Sequence, residues 1–289
     1  MNIETFAVIG GDLRFAYLAG ELAADGYKVI TTGFDSADLP PCVTGCTQPA
    51  QAIALADCVI LPLPVTVEGG VLNAPFSRVR MTLDQVLNAV SPSQYLLGGN
   101  LSDGVRLEVT SRGLAIDDYF SREELAIQNA IPTAEGALQL AMEELPITLS
   151  GSHCLVTGYG RVAKVLAHTL KAVGANVTVA VRKCEAAAWA QVDGCETVDI
   201  GRLSKAGDFD VVFNMVPTLL FTADVLKGMN RDTLLIDLAS RPGGVDFSAA
   251  ADLQIKTIWA LSLPGRVAPK TAGIILKNTI LNMIKEREV

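Results

Sequence analysis

The sequence predicts an α/β chain folded as two doubly wound parallel-sheet domains, and three observations carry that expectation. A length of 289 residues suits about two domains. Half the residues are hydrophobic, only 6% aromatic and 19% charged, with Ala, Val, Ile and Leu making up most of the apolar content. That mix fits strands buried on both faces by helices. Short apolar runs also alternate with longer amphipathic ones in both halves, the pattern of repeated βα units.

The elements follow in order. Phe6–Ile9 reads as a strand that ends at Gly10-Gly11, and an apolar stripe through Leu13–Ala24 predicts a helix stopped by Asp25-Gly26. Tyr27–Thr32 is the next strand, Gln48–Ala56 a helix and Cys58–Leu63 a strand. Thr82–Val90, Tyr95–Leu97, Asp103–Ser111 and Leu114–Asp117 continue the alternation. Ser121–Leu145 reads as helical, interrupted at Ile131-Pro132-Thr133. Pro132 suits the first turn of a new helix, whose N-terminus Glu135 then complements.

A second series places strands at Cys154–Thr157, Val177–Val181, Val211–Met215, Leu234–Asp237 and Thr257–Ala260, with helices between most of them. Thr271–Glu286 carries Ile274, Ile275, Leu276, Ile280, Leu281 and Ile284 at helical spacing, and is expected to return to the first domain. The expected division is 1–125 with 270–289 as a substrate domain, 126–150 as an interdomain helix, and 151–269 as a dinucleotide domain.

Charge and composition exclude several classes. Against 23 Lys and Arg stand 31 Asp and Glu, a net charge of −8, so a nucleic-acid partner is not expected. The apolar content opposes disorder. Met1–Thr5 lacks the basic start and apolar core of a signal peptide. The runs Cys58–Val65 and Val211–Phe221 are broken by Pro62, Pro64 or Pro217, short of the roughly 20 residues that span a bilayer. Cys42, Cys46, Cys58, Cys154, Cys184 and Cys195 form no CxxC pair, and no histidine lies near Cys42 and Cys46. No metal site is therefore expected, and the cytoplasm is the expected compartment.

The sharpest motif runs from His153 through Gly158-Tyr159-Gly160-Arg161-Val162-Ala163, a GxGxxA between a strand and a helix. Gly158 would allow the tight turn, Gly160 the approach of a pyrophosphate and Ala163 close helix–sheet packing, which makes the domain Rossmann-like. The competing reading is a merely structural turn. At the end of the next strand stand Arg182-Lys183 instead of a carboxylate. Arg182 can pair with a 2′-phosphate, so NADP is expected over NAD, the plainer alternative being a solvated basic loop.

Other strand ends add candidates. Gly10 and Gly11 would let a small ligand approach the backbone and Arg14 would clamp a carboxylate, unless the segment is a tight turn with a solvent-facing arginine. Asn214-Met215-Val216-Pro217 would line the nicotinamide ribose, with Ala239 and Ser240 nearby. Arg241, between a strand end and Gly243-Gly244, would bind an anionic substrate; ordinary turn chemistry is the alternative for both segments. Arg266 and Lys270 would meet substrate carboxylates, unless their Pro–Gly context only shapes a crossover. His153 and His168 read as structural, so histidine acid–base chemistry is not expected. The absence of GxSxG, P-loop and HExxH motifs leaves hydrolase and NTPase readings without residues.

Five segments together resemble the family of the A-type subunit of dipicolinate synthase, found in spore-forming bacteria. They are Ala7–Arg14, Ile131–Gly136, Gly158–Arg161, Leu235–Gly244 and Leu263–Gly273, in the family's order over nearly the whole chain. The resemblance implies NADP-linked oxidation of a dihydrodipicolinate-type ring to pyridine-2,6-dicarboxylate during sporulation, alongside a flavoprotein-like B-type subunit; a homo-oligomer is a separate candidate state that the sequence does not fix. If a 4-hydroxylated tetrahydro ring binds first, loss of water precedes oxidation, and the order of the two steps stays open. The implied dicarboxylate clamps are Arg14, Arg241, Arg266 and Lys270, with Gly11 and Thr133 beside them. Lys270, Glu135 or a water would take the ring proton, and Arg241 counts among the catalytic candidates. Against the wider alanine and 2-hydroxyacid dehydrogenases the chain departs by lacking a histidine at the cleft. The alternatives are another NADP-dependent oxidoreductase for a small carboxylate or imine, or a non-catalytic nucleotide-binding module that regulates a partner.

Overall fold

The computed structural model describes residues 3–205 and 208–288; the expectations touching Met1, Asn2 and Val289 lie outside them. Two compact units emerge, Met1–Gln128 with Ala268–Val289, and Asn129–Val267.

The first unit contains β1 (Thr5–Ile9), α1 (Leu13–Ala24), β2 (Lys28–Thr32), β3 (Thr44–Gly45), α2 (Pro49–Ala54), β4 (Cys58–Ile60), the hairpin β5 (Thr66–Val67) and β6 (Val71–Leu72), α3 (Leu83–Leu87), β7 (Tyr95–Gly98), α4 (Asp103–Thr110), β8 (Asp117–Asp118) and α5 (Glu123–Gln128). Its sheet runs β3-β2-β1-β4-β7-β8, all parallel, so the winding direction reverses between β1 and β4. The side chains of β1 alternate between two cores. Phe6 and Val8 join Phe15, Leu18 and Leu22 of α1, while Ala7 and Ile9 join Ile53, Val59, Leu83 and Val86.

The C-terminal helix, Pro269–Glu288, packs on α1. Ile275, Leu276, Ile280, Met283 and Ile284 enter the core beside α1. Lys277 reaches Asp25 at 2.7 Å, Glu286 pairs with Arg122 at 2.7 Å, and Arg287 lies 4.4 Å from the centre of the Tyr95 ring. Gly273 makes the crossing close: a Cβ there would stand 2.6 Å from the Arg14 carbonyl oxygen and 2.8 Å from Tyr17 Cβ.

The second unit repeats the plan. It contains α6 (Ala130–Glu144), β9 (His153–Thr157), α7 (Arg161–Ala172), β10 (Asn176–Val181), α8 (Cys184–Val192), β11 (Glu196–Asp199), β12 (Val211–Asn214), α9 (Ala223–Lys227), β13 (Leu234–Asp237), α10 (Phe247–Asp252), β14 (Thr257–Trp259) and α11 (Leu263–Val267). The parallel sheet order is β11-β10-β9-β12-β13-β14, with its reversal between β9 and β12. The α/β class with two doubly wound parallel sheets is thus as the sequence predicts. No helix among the described residues is long and apolar enough to cross a membrane.

Four local readings need correction. The helical stretch 121–145 breaks at Asn129, between α5 and α6, so Pro132 sits inside the first turn of α6, where its missing N–H costs nothing. Glu135 then falls in the second turn, and the first turn holds no acidic residue. The segment 126–150 is not a separate connector, because α6 packs within the second unit on α7 and α11. Finally, Leu263-Pro264-Gly265-Arg266 is helical, and the last helix begins at Pro269 instead of Thr271.

Gly273→Ala should therefore destabilise the fold by about 1–3 kcal/mol through overpacking against α1. A urea titration checks it: the midpoint should fall with the slope unchanged.

Candidate functional site

The site is built at the reversal point of the second unit. β9 ends in Thr157, and Gly158 turns the chain with φ +76°, its N–H donating to the Ala180 carbonyl at 2.8 Å. Gly160 is the N-cap of α7 and brings no side-chain cap. The first N–H groups of α7 therefore have no acceptor inside the helix, and the positive end of its dipole is added to them. Among the described residues, apart from Gly160's own chain neighbours and helix backbone, no atom lies within 4 Å of where a Gly160 Cβ would stand, so the backbone is open to close approach. Together these make an anion cradle. Ala163, 1% exposed, packs into the sheet core below it.

Neighbouring residues divide into those that face outward and those that do not. Arg182 and Lys183 are exposed immediately beyond β10, next to the β9 turn, and Lys183 is the N-cap of α8. Arg161 is exposed and Val162 half-buried in the first turn of α7. Tyr159 offers a ligand only its backbone. Its side chain runs to the Asp193 carboxylate, and Lys164 lies 5.7 Å from its ring centre. Burial and then the hydrogen bond to Asp193 push the Tyr159 phenol well above its ordinary range.

The loops after β12 and β13 are joined underneath. Thr157, Asn214 and Asp237, the last residues of three adjacent strands, form a buried chain. The Thr157 hydroxyl donates to Asn214 Oδ1 at 2.6 Å, and Asn214 Nδ2 donates to Asp237 Oδ1 at 2.8 Å. The spacing of the sequence places Asn214 on the nicotinamide ribose; its side chain is instead wholly buried and faces inward. Ala239 is also turned inward, with its N–H on Asp237 Oδ1 at 3.0 Å and its carbonyl accepting from Trp259 Nε1 at 3.1 Å. Val216 is half-buried, and Pro217 and Ser240 are exposed above this floor. Arg241 is exposed, its guanidinium 5.8 Å from the Trp259 ring centre, and Phe247 stacks on that indole at 5.5 Å. Sequence reasoning missed the roles of Thr157 and Asp237. The available signal was a polar residue closing each of three apolar strands.

The first unit has the same turn with different contents. The Gly10 N–H donates to Thr32 O at 2.8 Å, matching Gly158 and Ala180. Here, however, the chain itself fills the space above. A Gly10 Cβ would meet Ala74 Cβ at 3.0 Å and Asn73 O at 3.1 Å, and the Gly11 N–H is bonded to Asn73 O at 2.8 Å. Gly11, at φ +110°, is required because a side chain would strike the Phe15 ring, which replaces the expected approach of a ligand.

Arg14 is neither solvent-facing nor an unoccupied clamp. Its side chain is 9% exposed, and Asp12 holds it through Nε at 2.9 Å and Nη2 at 2.7 Å. Asp12 also caps α1 by accepting from the Arg14 N–H at 3.0 Å. Arg14 Nη1 has no hydrogen-bond partner among the described residues.

The remaining candidates are scattered along their elements. The Thr133 hydroxyl is spent on Asn129 O at 2.6 Å, against its expected place beside a substrate. Glu135 is exposed on α6, Arg266 exposed in the last turn of α11, and Lys270 exposed in the first turn of the C-terminal helix. His153 and His168 are exposed, and among the described residues no group of three or more His, Cys, Asp or Glu is placed to hold a metal.

Two units of one winding order, one turn open and the other filled by its own chain, define a two-unit Rossmann-type α/β protein. The fold resembles that of a transhydrogenase from Sinorhizobium meliloti, with a TM-score of 0.72 at 14% identity over 97% of this chain and 94% of that one. Residues 5–120 match the family model for the N-terminal domain of the A-type subunit of dipicolinate synthase. The corresponding dipicolinate synthase subunit of Bacillus subtilis (strain 168) is 34% identical over 288 residues, 97% of this chain and 95% of that protein. The crystal structure of the equivalent Bacillus halodurans subunit matches with a TM-score of 0.89 at 31% identity, covering 97% of both chains. The chain belongs to this dipicolinate synthase family, the A-type one, as the five sequence segments indicate.

The two turns should respond differently to a methyl group. Gly11→Ala should cost about 1–3 kcal/mol, from the left-handed backbone and the Phe15 ring together. Gly160→Ala, in open space at an ordinary φ, should stay within about 0.5 kcal/mol of the parent. Thermal unfolding of the two variants side by side checks both.

Proposed function

We propose that this chain is the NADP-dependent oxidoreductase subunit of a dipicolinate synthase, oxidising a dihydrodipicolinate-type ring to pyridine-2,6-dicarboxylate. The observation that carries the reading is the open, uncapped start of α7 beside Arg182. The residues fit a dinucleotide: backbone N–H groups at Gly160–Val162 suit its pyrophosphate, and the gap at Gly160 gives room for it. Arg182 and Lys183 suit a 2′-phosphate, and the position directly after Val181 holds Arg182 and not a carboxylate that would repel one. Val216, Pro217 and Ser240 flank the nicotinamide half.

When bound, the dinucleotide supplies the hydride acceptor. The ring loses a hydride and one proton, and aromatisation drives the change. Two ring carboxylates call for cations; the proposed carboxylate-binding groups are Arg14, through its Nη1, and Lys270 of the first unit, and Arg241 and Arg266 of the second, each taken on its own unit. Lys270, Glu135 or water takes the proton. Where a 4-hydroxylated tetrahydro precursor binds first, loss of water precedes this step. The relatives' names, which make each one subunit of a synthase, support a second subunit, which we take to be a flavoprotein-like protein of the B type. The proposed setting is the cytoplasm of a sporulating cell.

The test mixes the purified protein, alone and with the flavoprotein-like subunit, with a dihydrodipicolinate source and NADP. NADPH and the pyridine product should appear together in equal amounts. If the protein binds NADP yet neither product forms in any pairing, the enzyme reading fails and a regulatory nucleotide-binding module replaces it. For cofactor choice, Arg182→Asp should weaken NADP roughly a hundredfold and leave NAD nearly unchanged, by loss of a charge-assisted pair and gain of repulsion. Titration with each cofactor checks it, and equal weakening would remove the assignment.

A further inference from the structure

The adenosine and nicotinamide halves of a dinucleotide fall on opposite sides of the reversal point in this winding order. The adenosine side here is β9–β11, with Arg182 and Lys183; the nicotinamide side is β12–β14, with the loops 215–217 and 238–244. Among the described residues, no side chain within those two loops anchors one loop to the other. The link lies below them, in Asn214 and Asp237.

Asn214 is saturated. Its Oδ1 accepts from the Thr157 hydroxyl at 2.6 Å and from the Val216 N–H at 3.2 Å. Its Nδ2 donates to the Val216 carbonyl at 3.1 Å and to Asp237 Oδ1 at 2.8 Å. Those four bonds use the whole capacity of a primary amide, so none remains for a ligand. Asp237 collects the second loop at both ends: Ala239 N–H on Oδ1 at 3.0 Å and Gly244 N–H on Oδ2 at 2.8 Å. The Thr157 hydroxyl also accepts from the Met215 N–H at 3.0 Å. Gly244 completes the closure, since a Cβ there would fall on Asn214 Nδ2 and lie 2.5 Å from Val216 O.

We propose that Thr157, Asn214 and Asp237 are positioning residues that fix the two nicotinamide-side loops as one surface, while the adenosine half is held independently by α7 and Arg182. The proposal rests on the dinucleotide reading above. It predicts that the two halves of the site can be uncoupled by mutation. Thr157→Val removes the hydroxyl that bonds both Asn214 and Met215 at nearly constant volume. Thr157→Ser retains it. Asp237→Asn places an amide donor where backbone N–H groups also donate.

Calorimetric titration of the full-length variants with NADP and with 2′,5′-ADP, which carries only the adenosine half, separates the outcomes. Thr157→Val should weaken NADP about tenfold and 2′,5′-ADP less than about twofold, with Thr157→Ser restoring both. Asp237→Asn, where it folds, should show the same imbalance more strongly. Equal weakening of both ligands, or no weakening of NADP, overturns the positioning role while leaving the dinucleotide reading intact. Failure of the parent protein to bind either ligand overturns that reading, and the proposal with it.

Discussion

A parallel sheet has two faces that must both be kept from water, and that constraint organises both units. Crossover helices are the means of covering them, and a helix can return the chain to a parallel strand only on one hand. Building outward from a central strand therefore covers one face with the helices of one wing and the opposite face with those of the other. Where the wings meet, beside β1 and β4 or β9 and β12, helices diverge and the strand ends are left uncovered. The turns that follow β1 and β9 sit at that gap. Gly10 and Gly158, at φ +70° and +76°, are consequences of that geometry before they are features of any ligand.

The two units answer the same gap in different ways. In the first, Asn73 and Ala74, which follow the β5–β6 hairpin, occupy the space above Gly10, and the Asn73 carbonyl accepts from the Gly11 N–H. Asp12 there caps the start of α1 and also holds Arg14 through Nε and Nη2. In the second, Gly160 leaves the space open and supplies no side-chain cap to α7. A structural role alone accounts for Gly11 but not for Gly160, whose φ of −87° any residue can adopt. This difference, more than the GxGxxA spacing itself, is the ground for proposing the second turn, and not the first, as a ligand turn.

Much of the fold was legible because its signals are local. The limits of α1 follow from the apolar stripe Leu13–Ala24 and the Asp25-Gly26 stop, and the structure begins and ends the helix at Leu13 and Ala24, with Asp12 as its cap. By contrast β11, Glu196-Thr-Val-Asp, is an edge strand without an apolar run, and nothing local distinguishes it from a loop. Pro264-Gly265 concealed α11, which is held by packing on α6, where Gly136 leaves 3.1 Å between an added Cβ and Val267. At the site, the glycine turn and Arg182 were readable from spacing. The inward facing of Asn214 was not, because the last residue of a strand can turn either to the core or to the rim. Only the neighbouring Thr157 and Asp237, 57 and 23 residues distant, decide it.

The net charge of −8 bears on these sites less than its size suggests. At physiological ionic strength exposed charges are screened beyond roughly 8 Å, so a small anion at a strand end feels chiefly the groups that touch it. Backbone N–H groups and a helix dipole carry no formal charge and do not enter the sum at all. A polyanion, by contrast, extends over many screening lengths and meets the acidic surface everywhere. The charge balance thus argues against a nucleic acid while leaving the start of α7, Arg182 and Lys183 fully able to hold phosphates. The same reasoning gives Asp12 its weight: a carboxylate 2.7 Å from Arg14 alters that cation's pull on a second carboxylate more than the rest of the acidic surface together.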